Sequence, residues 1–142
     1  MMNEEVRSIM SHTITVALPE QTAGEVAQLM LRRRLQQLPV VDGEDRLVGL
    51  VTSYDLWRAC RQHPDSEQRS VRDVMNTGVV TLSPKDKVGT AAELFMDQRF
   101  KTLPVVNLEG KLKGVVTAFD VIRYSLKKEY PEPILYKEVL AP

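Results

Sequence analysis

A glycine, a threonine and an aspartate recur with one spacing at two places in this chain of 142 residues. The two sets are Gly49, Thr52 and Asp55, and Gly114, Thr117 and Asp120. A threonine hydroxyl can donate to a phosphate or ribose oxygen, whereas an ionised aspartate only accepts hydrogen bonds and therefore suits a ribose diol. A glycine just upstream lets a ligand approach the backbone closely. This pattern favours the binding of a sugar-bearing ligand.

Each motif lies where a strand pattern ends and a helical pattern begins. The threonine would be the N-cap of the helix, and the aspartate three residues later would complete a capping box at the positive end of the helix dipole. A helix N-terminus also presents free N–H groups to anionic or polyhydroxylated ligands. Capping explains a single Thr-x-x-Asp, but two copies in register favour a binding function as well.

The residues before the motifs are also duplicated. Residues 38–41, Leu-Pro-Val-Val, return 65 positions later as residues 103–106. Residues 6–58 align on 71–123 without a gap and with 19 identities in 53 positions. The chain is therefore an internal duplication. A unit of about 55 residues is near the lower limit for a self-sufficient core, so we expect the two units to pack together.

Both copies predict the same order of elements, which is strand, helix, strand, strand, helix. An apolar helical stripe begins at Ala23 in the first copy and at Val88 in the second, ending at Leu31 and Met96. Thr22 and Glu25 form a capping box before the first of these helices. Strands are predicted at residues 14–16, 38–41, 47–51, 103–106 and 112–116, and later helices at 53–61 and 118–127. The fold class is α+β, with tandem βαββα units.

The domain boundaries follow from the repeat. The first repeat is predicted at residues 5–61 and the second at 71–127. Residues 62–70 are polar and contain Pro64, so they are expected to form an exposed linker. Residues 128–142 form a tail in which Pro131 and Pro133 favour an extended stretch.

The composition excludes several classes of protein. Apolar residues make up 43% and charged residues 27%, which is typical of a globular chain. Nineteen basic and nineteen acidic residues give zero net charge, which disfavours a dedicated nucleic-acid binder. The single cysteine, Cys60, allows no internal disulfide and fits a cytoplasmic location. No apolar run approaches the ~20 residues that span a bilayer, so membrane insertion is not expected.

The duplicated Leu-Pro-Val-Val and Gly-φ-Val-Thr-x-x-Asp segments, where φ is apolar, resemble the CBS-domain pair, or Bateman module, over about residues 5–127. The resemblance implies two βαββα units packed through their sheets, with two clefts between them. Family members commonly bind AMP, ADP, ATP or S-adenosylmethionine there, and many form flat homodimers. It assigns ligand contacts to Thr52 with Asp55 and Thr117 with Asp120. It assigns the adenine pocket to Ile14, Thr15, Pro39, Val79, Val80 and Pro104.

Basic side chains have two interpretations. The resemblance places Lys101 near ligand phosphates, whereas the first copy has Gln36 there with Gln37 beside it, so the clefts are expected to be unequal. Arg58 and Arg123 lie three residues beyond each aspartate and would reach a ligand or pair with that carboxylate. The run 32–34, Arg-Arg-Arg, is interpreted as a solvated helix end.

Other residues are interpreted as structural. His12 and His63 have no second ligand nearby, so no metal site is expected. Cys60 is predicted to pack rather than to act as a nucleophile, and Met10, Met30, Met75 and Met96 are predicted to be core residues. Four apolar residues at equivalent helical positions would form a dimer face or be buried in the monomer: Leu56, Trp57, Val121 and Ile122.

Two functions remain open from the sequence. One is a standalone regulatory module that binds an adenosine-type nucleotide and transmits this to an effector protein. The alternative is a ligand-free scaffold that dimerises or docks on an enzyme or transporter. An enzyme is not expected, because the chain offers no Cys/His or Ser/His pair and no Walker-type loop.

Overall fold

The computed structural model describes residues 2–129, which form two β-hairpins with helices around them. The helices are α1 (Ala23–Arg33), α2 (Ser53–Gln62), α3 (Val71–Val74), α4 (Val88–Phe95) and α5 (Ala118–Glu129), and the strands are β1 (Gln37–Val41), β2 (Leu47–Thr52), β3 (Thr102–Val106) and β4 (Leu112–Thr117). Short 3₁₀ turns occupy Val6–Ser8 and Ser66–Gln68. The predicted extended stretch at Pro131 and Pro133 lies outside the described residues.

The two hairpins are antiparallel and have matching registers. Gln37 faces Thr52 across β1 and β2, and Thr102 faces Thr117 across β3 and β4. Both registers shift near the end of the first strand of the hairpin. The strand limits agree with the predicted ones to within one residue, because apolar runs bounded by polar turns are strong local signals.

The strand predicted at residues 14–16 is wrong. Residues 14–16 form no strand; the following residue, Ala17, makes an isolated parallel bridge with Val40, and its repeat equivalent Leu82 does the same with Val105. The residues upstream cannot extend this pairing, because Ser11 has already crossed to the other repeat, where its N–H donates to the carbonyl of Val115 at 2.8 Å. The strand-like residues there belong to an irregular segment that passes from one repeat to the other. We call residues 10–17 and the equivalent residues 75–82 the crossing segments.

The start of each repeat packs on the core of the other repeat. Val6 is fully buried in the second core, and its N–H donates to the Asp86 carbonyl at 2.7 Å. Val71 is fully buried in the first core, and its N–H donates to the Gln21 carbonyl at 2.8 Å. The hairpin tips also join, since the Leu47 N–H donates to the Gly110 carbonyl at 2.9 Å. Neither core is complete without the opposite repeat.

The cores use fewer helical residues than the stripes predict. Ala23, Val26 and Met30 are buried on α1, and the Thr22 hydroxyl caps this helix by accepting from the Glu25 N–H at 3.1 Å. Leu31 and Met96 are 78% and 83% exposed, so the prediction that Met96 belongs to the core is wrong. Leu31 lies in the last turn of α1, and Met96 follows the last residue of α4. Met10 and Met75 are half-buried against the cores, as predicted.

The segment at residues 62–70 is less exposed than a polar linker predicts. Its 3₁₀ turn packs against α1 and α2, and Ser66 is buried. Gly24 on α1 makes room for it, because a Cβ at Gly24 would lie 3.2 Å from the Glu67 carbonyl oxygen. The segment is therefore partly structural.

The crossing segments lie directly over Gly49 and Gly114, and this accounts for both glycines. A Cβ on Gly114 would lie 2.6 Å from the Met10 sulfur and 2.9 Å from the Ser11 carbonyl oxygen. A Cβ on Gly49 would lie 2.5 Å from the Met75 sulfur. The glycines were expected to let a ligand approach the backbone, but residues of the opposite repeat occupy that space.

We expect Gly114→Ala to lower the free energy of unfolding by about 1–3 kcal/mol, because the added methyl overpacks a site bounded by backbone. Urea denaturation followed by circular dichroism measures this. Gly43→Ala is the control, since a Cβ at Gly43 meets nothing within 4 Å. Equal unfolding midpoints for the two variants would contradict the role given to the crossing segment.

Candidate functional site

Both Thr-x-x-Asp motifs form complete capping boxes. At the start of α2, the Asp55 N–H donates to the Thr52 hydroxyl and the Thr52 N–H donates to the Asp55 carboxylate, each at 3.0 Å. At the start of α5, the same two bonds join Thr117 and Asp120 at 3.1 and 2.8 Å. The capping interpretation of the motif is confirmed. Each threonine is thereby fixed at the point where a strand turns into a helix.

The second oxygen of each aspartate receives an arginine. Arg58 lies 3.5 Å from Asp55 Oδ1, and Arg123 lies 2.7 Å from Asp120 Oδ1. The sequence left open whether these arginines reach a ligand or pair with the carboxylates. The structure shows that both pair with the carboxylates, which are buried. A carboxylate has about four acceptor positions, and both aspartates retain capacity for a further donor such as a ribose hydroxyl.

One cleft brings predicted ligand residues from the two repeats together. It has a volume of about 330 Å³, which suits a small ligand. We call it the central cleft, and it is lined by Gln37, Leu50, Thr52, Asn76, Gly78, Val79, Val80, Arg99, Phe100 and Thr102. Thr52, Val79 and Val80 are the predicted ligand residues among them. Sequence reasoning missed most of the others.

The lining combines an apolar wall with a polar end. Leu50, Val79, Val80 and Phe100 supply apolar surface suited to a flat heterocycle, while Thr52, Asn76 and Thr102 supply hydrogen-bonding groups. Asn76 is held against the wall, because its N–H donates to the Leu50 carbonyl at 2.8 Å and its own carbonyl accepts from the Leu50 N–H at 2.9 Å. The cleft is thus built across the junction between the repeats.

Arg99 is the cation of the central cleft. Its guanidinium lies 2.6 Å from Asp97, and this hydrogen bond lowers the pKa of the Asp97 carboxyl to about 2. The guanidinium also stacks over the ring of Phe100, with 6.0 Å to the ring centroid. Arg99 aligns with Arg34 of the first repeat, and this identity between the repeats is the sequence signal that could have pointed to Arg99. Lys101 is exposed and does not line the cleft, although both of its neighbours do.

The remaining predicted contacts lie elsewhere. Pro39 and Pro104 are buried inside their hairpins, opposite Leu50 and Val115. Ile14 and Thr15 are half-buried on the first crossing segment, at the positions equivalent to Val79 and Val80. Together with Thr117 they are the repeat equivalents of Val79, Val80 and Thr52, which line the central cleft.

Several surface residues differ from their predicted roles. The prediction that Cys60 packs in the core is wrong. Its side chain is exposed, because it lies on the outward side of α2. Leu56 and Val121 pack against the cores, whereas Trp57 and Ile122 are exposed. Between residues 2 and 129 there is no cluster of three side chains able to hold a metal ion. In the same span, no helix is long and apolar enough to cross a membrane.

Solved structures with this fold cover most of the chain. CBSX2 from Arabidopsis thaliana, solved in complex with AMP, has a TM-score of 0.80 and 26% identity, covering 89% of this chain and 98% of that one. The CBS domain pair of protein MJ0100, solved with 5′-methylthioadenosine and S-adenosyl-L-methionine, has a TM-score of 0.74 and 26% identity. Here the match covers 87% of this chain and 97% of the other.

Curated relatives are longer. Inosine-5′-monophosphate dehydrogenase of Methanocaldococcus jannaschii is 32% identical over 124 residues, which is 87% of this chain but 23% of that protein. The chloroplastic CBS domain-containing protein CBSX1 of Arabidopsis thaliana is 26% identical over 139 residues, or 79% of this chain and 59% of the relative. The chain therefore spans less than two thirds of the length of either relative.

The sequence profile of the CBS domain matches the chain twice, at residues 6–59 and 71–127. The two matches correspond to the two repeats and to the two hairpins with their helices. Together with the similar CBS-pair structures, they confirm the resemblance on which the fold was predicted. The chain belongs to the CBS-domain family, and its two domains form a CBS pair.

Proposed function

We propose that this chain is a regulatory module that binds an adenosine-type nucleotide in the clefts between its CBS domains. The candidate ligands are AMP, ADP, ATP and S-adenosylmethionine. The observation that carries the proposal is the central cleft, which joins apolar wall, capped threonine and arginine across the two repeats. The module acts without catalysis and signals to an effector protein. A cytoplasmic location suits its single cysteine.

Each part of the cleft has a task in this proposal. Adenine packs on Val79, Val80 and Phe100, which bury its faces away from water. The ribose meets Thr52 and the Asp55 carboxylate bonded to it, and Arg99 faces the phosphate end. The second cleft would use Ile14, Thr15, Thr117 and Asp120 in the same way. Lys101, Pro39 and Pro104 do not line the central cleft.

Ligand binding would be transmitted through the crossing segments. Asn76 and residues 78–80 line the cleft on a segment that continues from α3, whose Val71 and Val74 are buried in the first core. A ligand between this segment and Arg99 would bind one arrangement of the two repeats better than another and shift the population toward it. Two similar structures were solved with such ligands, CBSX2 with AMP and MJ0100 with S-adenosyl-L-methionine.

We expect the wild-type chain to bind at least one of these ligands in isothermal titration calorimetry. Arg99→Gln should weaken AMP about fivefold and leave adenosine unchanged, because an exposed guanidinium contributes about 1 kcal/mol to a phosphate contact. Arg33→Gln is the control, because Arg33 is also an exposed cation but does not line the cleft. Absence of binding and of any thermal shift with all four ligands at millimolar concentration would overturn the proposal.

Asp120→Ala tests the second motif. We expect it to weaken nucleotide binding in the second cleft by about 1.5–3 kcal/mol, the value of a lost hydrogen bond to a charged group. It also removes half of a capping box, which costs about 1 kcal/mol of folding stability. Thr22→Ala removes a helix cap outside the clefts and should lose stability while keeping affinity. Calorimetry and urea denaturation separate the two effects, and unchanged affinity would remove Asp120 from the site.

A second candidate function, assembly with another chain, rests on the outward faces of α2 and α5. Five large apolar side chains there are between 51% and 64% exposed: Tyr54, Trp57, Phe119, Ile122 and Leu126. Soluble monomers seldom expose so many large apolar groups on adjacent turns. Because the two helices are repeat equivalents, a second copy can cover both by a two-fold pairing of α2 with α5. A homodimer is therefore proposed with or without ligand.

We expect the wild-type chain to have twice its monomer mass in light scattering, and Trp57→Glu with Ile122→Glu to halve that mass, because the charges would be buried unpaired in the interface. Leu108→Glu is the control, since Leu108 is fully exposed in a hairpin turn. A monomeric wild-type chain would contradict the homodimer.

A further inference from the structure

Gln37 carries a hydrogen-bond acceptor that no residue between 2 and 129 uses. It is the first residue of β1, lies opposite Thr52 in the hairpin and lines the central cleft. Its side-chain oxygen Oε1 is buried and accepts no hydrogen bond from any residue in the described part of the chain. Buried polar atoms in folded proteins nearly always have a partner, so this oxygen calls for an explanation.

The neighbours of Gln37 in the cleft do not supply the missing donor. The Thr52 N–H donates to Asp55, and the Thr52 hydroxyl, which keeps a proton to donate, makes no hydrogen bond to Gln37 Oε1. The guanidinium of Arg99 is held by Asp97. Burying an acceptor without a donor is unfavourable, because the group loses water and gains nothing in return. The free protein therefore carries a cost that a suitable ligand can remove.

Comparison of the repeats shows that this feature belongs to one copy. The equivalent of Gln37 is Thr102, which lines the same cleft from the start of β3. A threonine hydroxyl donates and accepts through one oxygen, whereas a glutamine amide has a separate acceptor oxygen and donor nitrogen. The polar end of the cleft is thus asymmetric, with an amide from one repeat and a hydroxyl from the other.

We propose that Gln37 is a specificity-determining residue of the central cleft and accepts a hydrogen bond from a donor group of the ligand. The inference rests on the proposed nucleotide-binding function. A phosphate dianion offers only acceptors and cannot satisfy Oε1. The donor is therefore a hydroxyl or amino group of the nucleoside, or the ammonium group of S-adenosylmethionine. Ligands that bring no such donor to Gln37 are selected against.

Gln37→Met tests this, because methionine has a similar length and no amide oxygen. Without ligand the variant should melt roughly 3 °C higher than the wild type, since the buried acceptor is gone. With the preferred ligand its affinity should fall about fivefold in calorimetry. Gln36→Met is the matched control, because Gln36 is the exposed neighbour outside the cleft lining and should change neither value.

Three probes identify the donor: AMP, 2′-deoxy-AMP and S-adenosylmethionine. A loss for AMP but not for 2′-deoxy-AMP assigns the ribose 2′-hydroxyl, and equal losses for both assign another group of the nucleoside. A loss confined to S-adenosylmethionine assigns its ammonium group. If the wild type binds and Gln37→Met binds every probe equally well, the inference is overturned while the proposed function stands. A wild type that binds none of the probes overturns the proposed function and this inference with it.

Discussion

Each hydrophobic core in this chain is closed by a short segment that belongs, in sequence, to the opposite repeat. Val6 seals the core of the second repeat, and Val71 seals that of the first. The exchange also fixes the hairpins, because Ser11 and Asn76 bond to β4 and β2 and the adjacent methionines rest on Gly114 and Gly49. Small units that bury too little apolar surface alone become one stable body in this way. The central cleft exists because these segments cross.

The ligand contacts proposed at the helix starts are atoms that the fold already uses. The Thr52 and Thr117 hydroxyls satisfy backbone N–H groups, and the paired aspartates satisfy the threonine N–H groups in return. A capping box therefore fixes a hydroxyl and a carboxylate at each helix start, and Arg58 and Arg123 pair with the second carboxylate oxygens. A ligand meets groups whose entropy was already lost on folding, which favours binding through preorganisation.

Local patterns predicted the hairpins and the starts of α2 and α5 almost to the residue, because strand runs, turns and caps depend on neighbours in sequence. They could not predict the exchange of segments, since an apolar residue such as Val6 has the same pattern whichever core it enters. They also misplaced Met96 and Cys60, which lie on helices with narrow buried faces. Local patterns did not predict Arg99 and Gln37 as cleft residues for another reason. Both line a cleft that segments distant in sequence form together.

The exchanged segments also bear on how such a chain could arise. In a single repeat, the first residues would have no second core to pack on. Its own core would stay open where the segment of the other repeat inserts. Two separate copies could fill each other's grooves, forming a symmetric pair whose members are joined only by mutual insertion. Fusing the two genes head to tail would then convert that pair into one polypeptide without altering any packing. Once fused, the halves are free to diverge, as at the aligned positions Arg32 and Asp97.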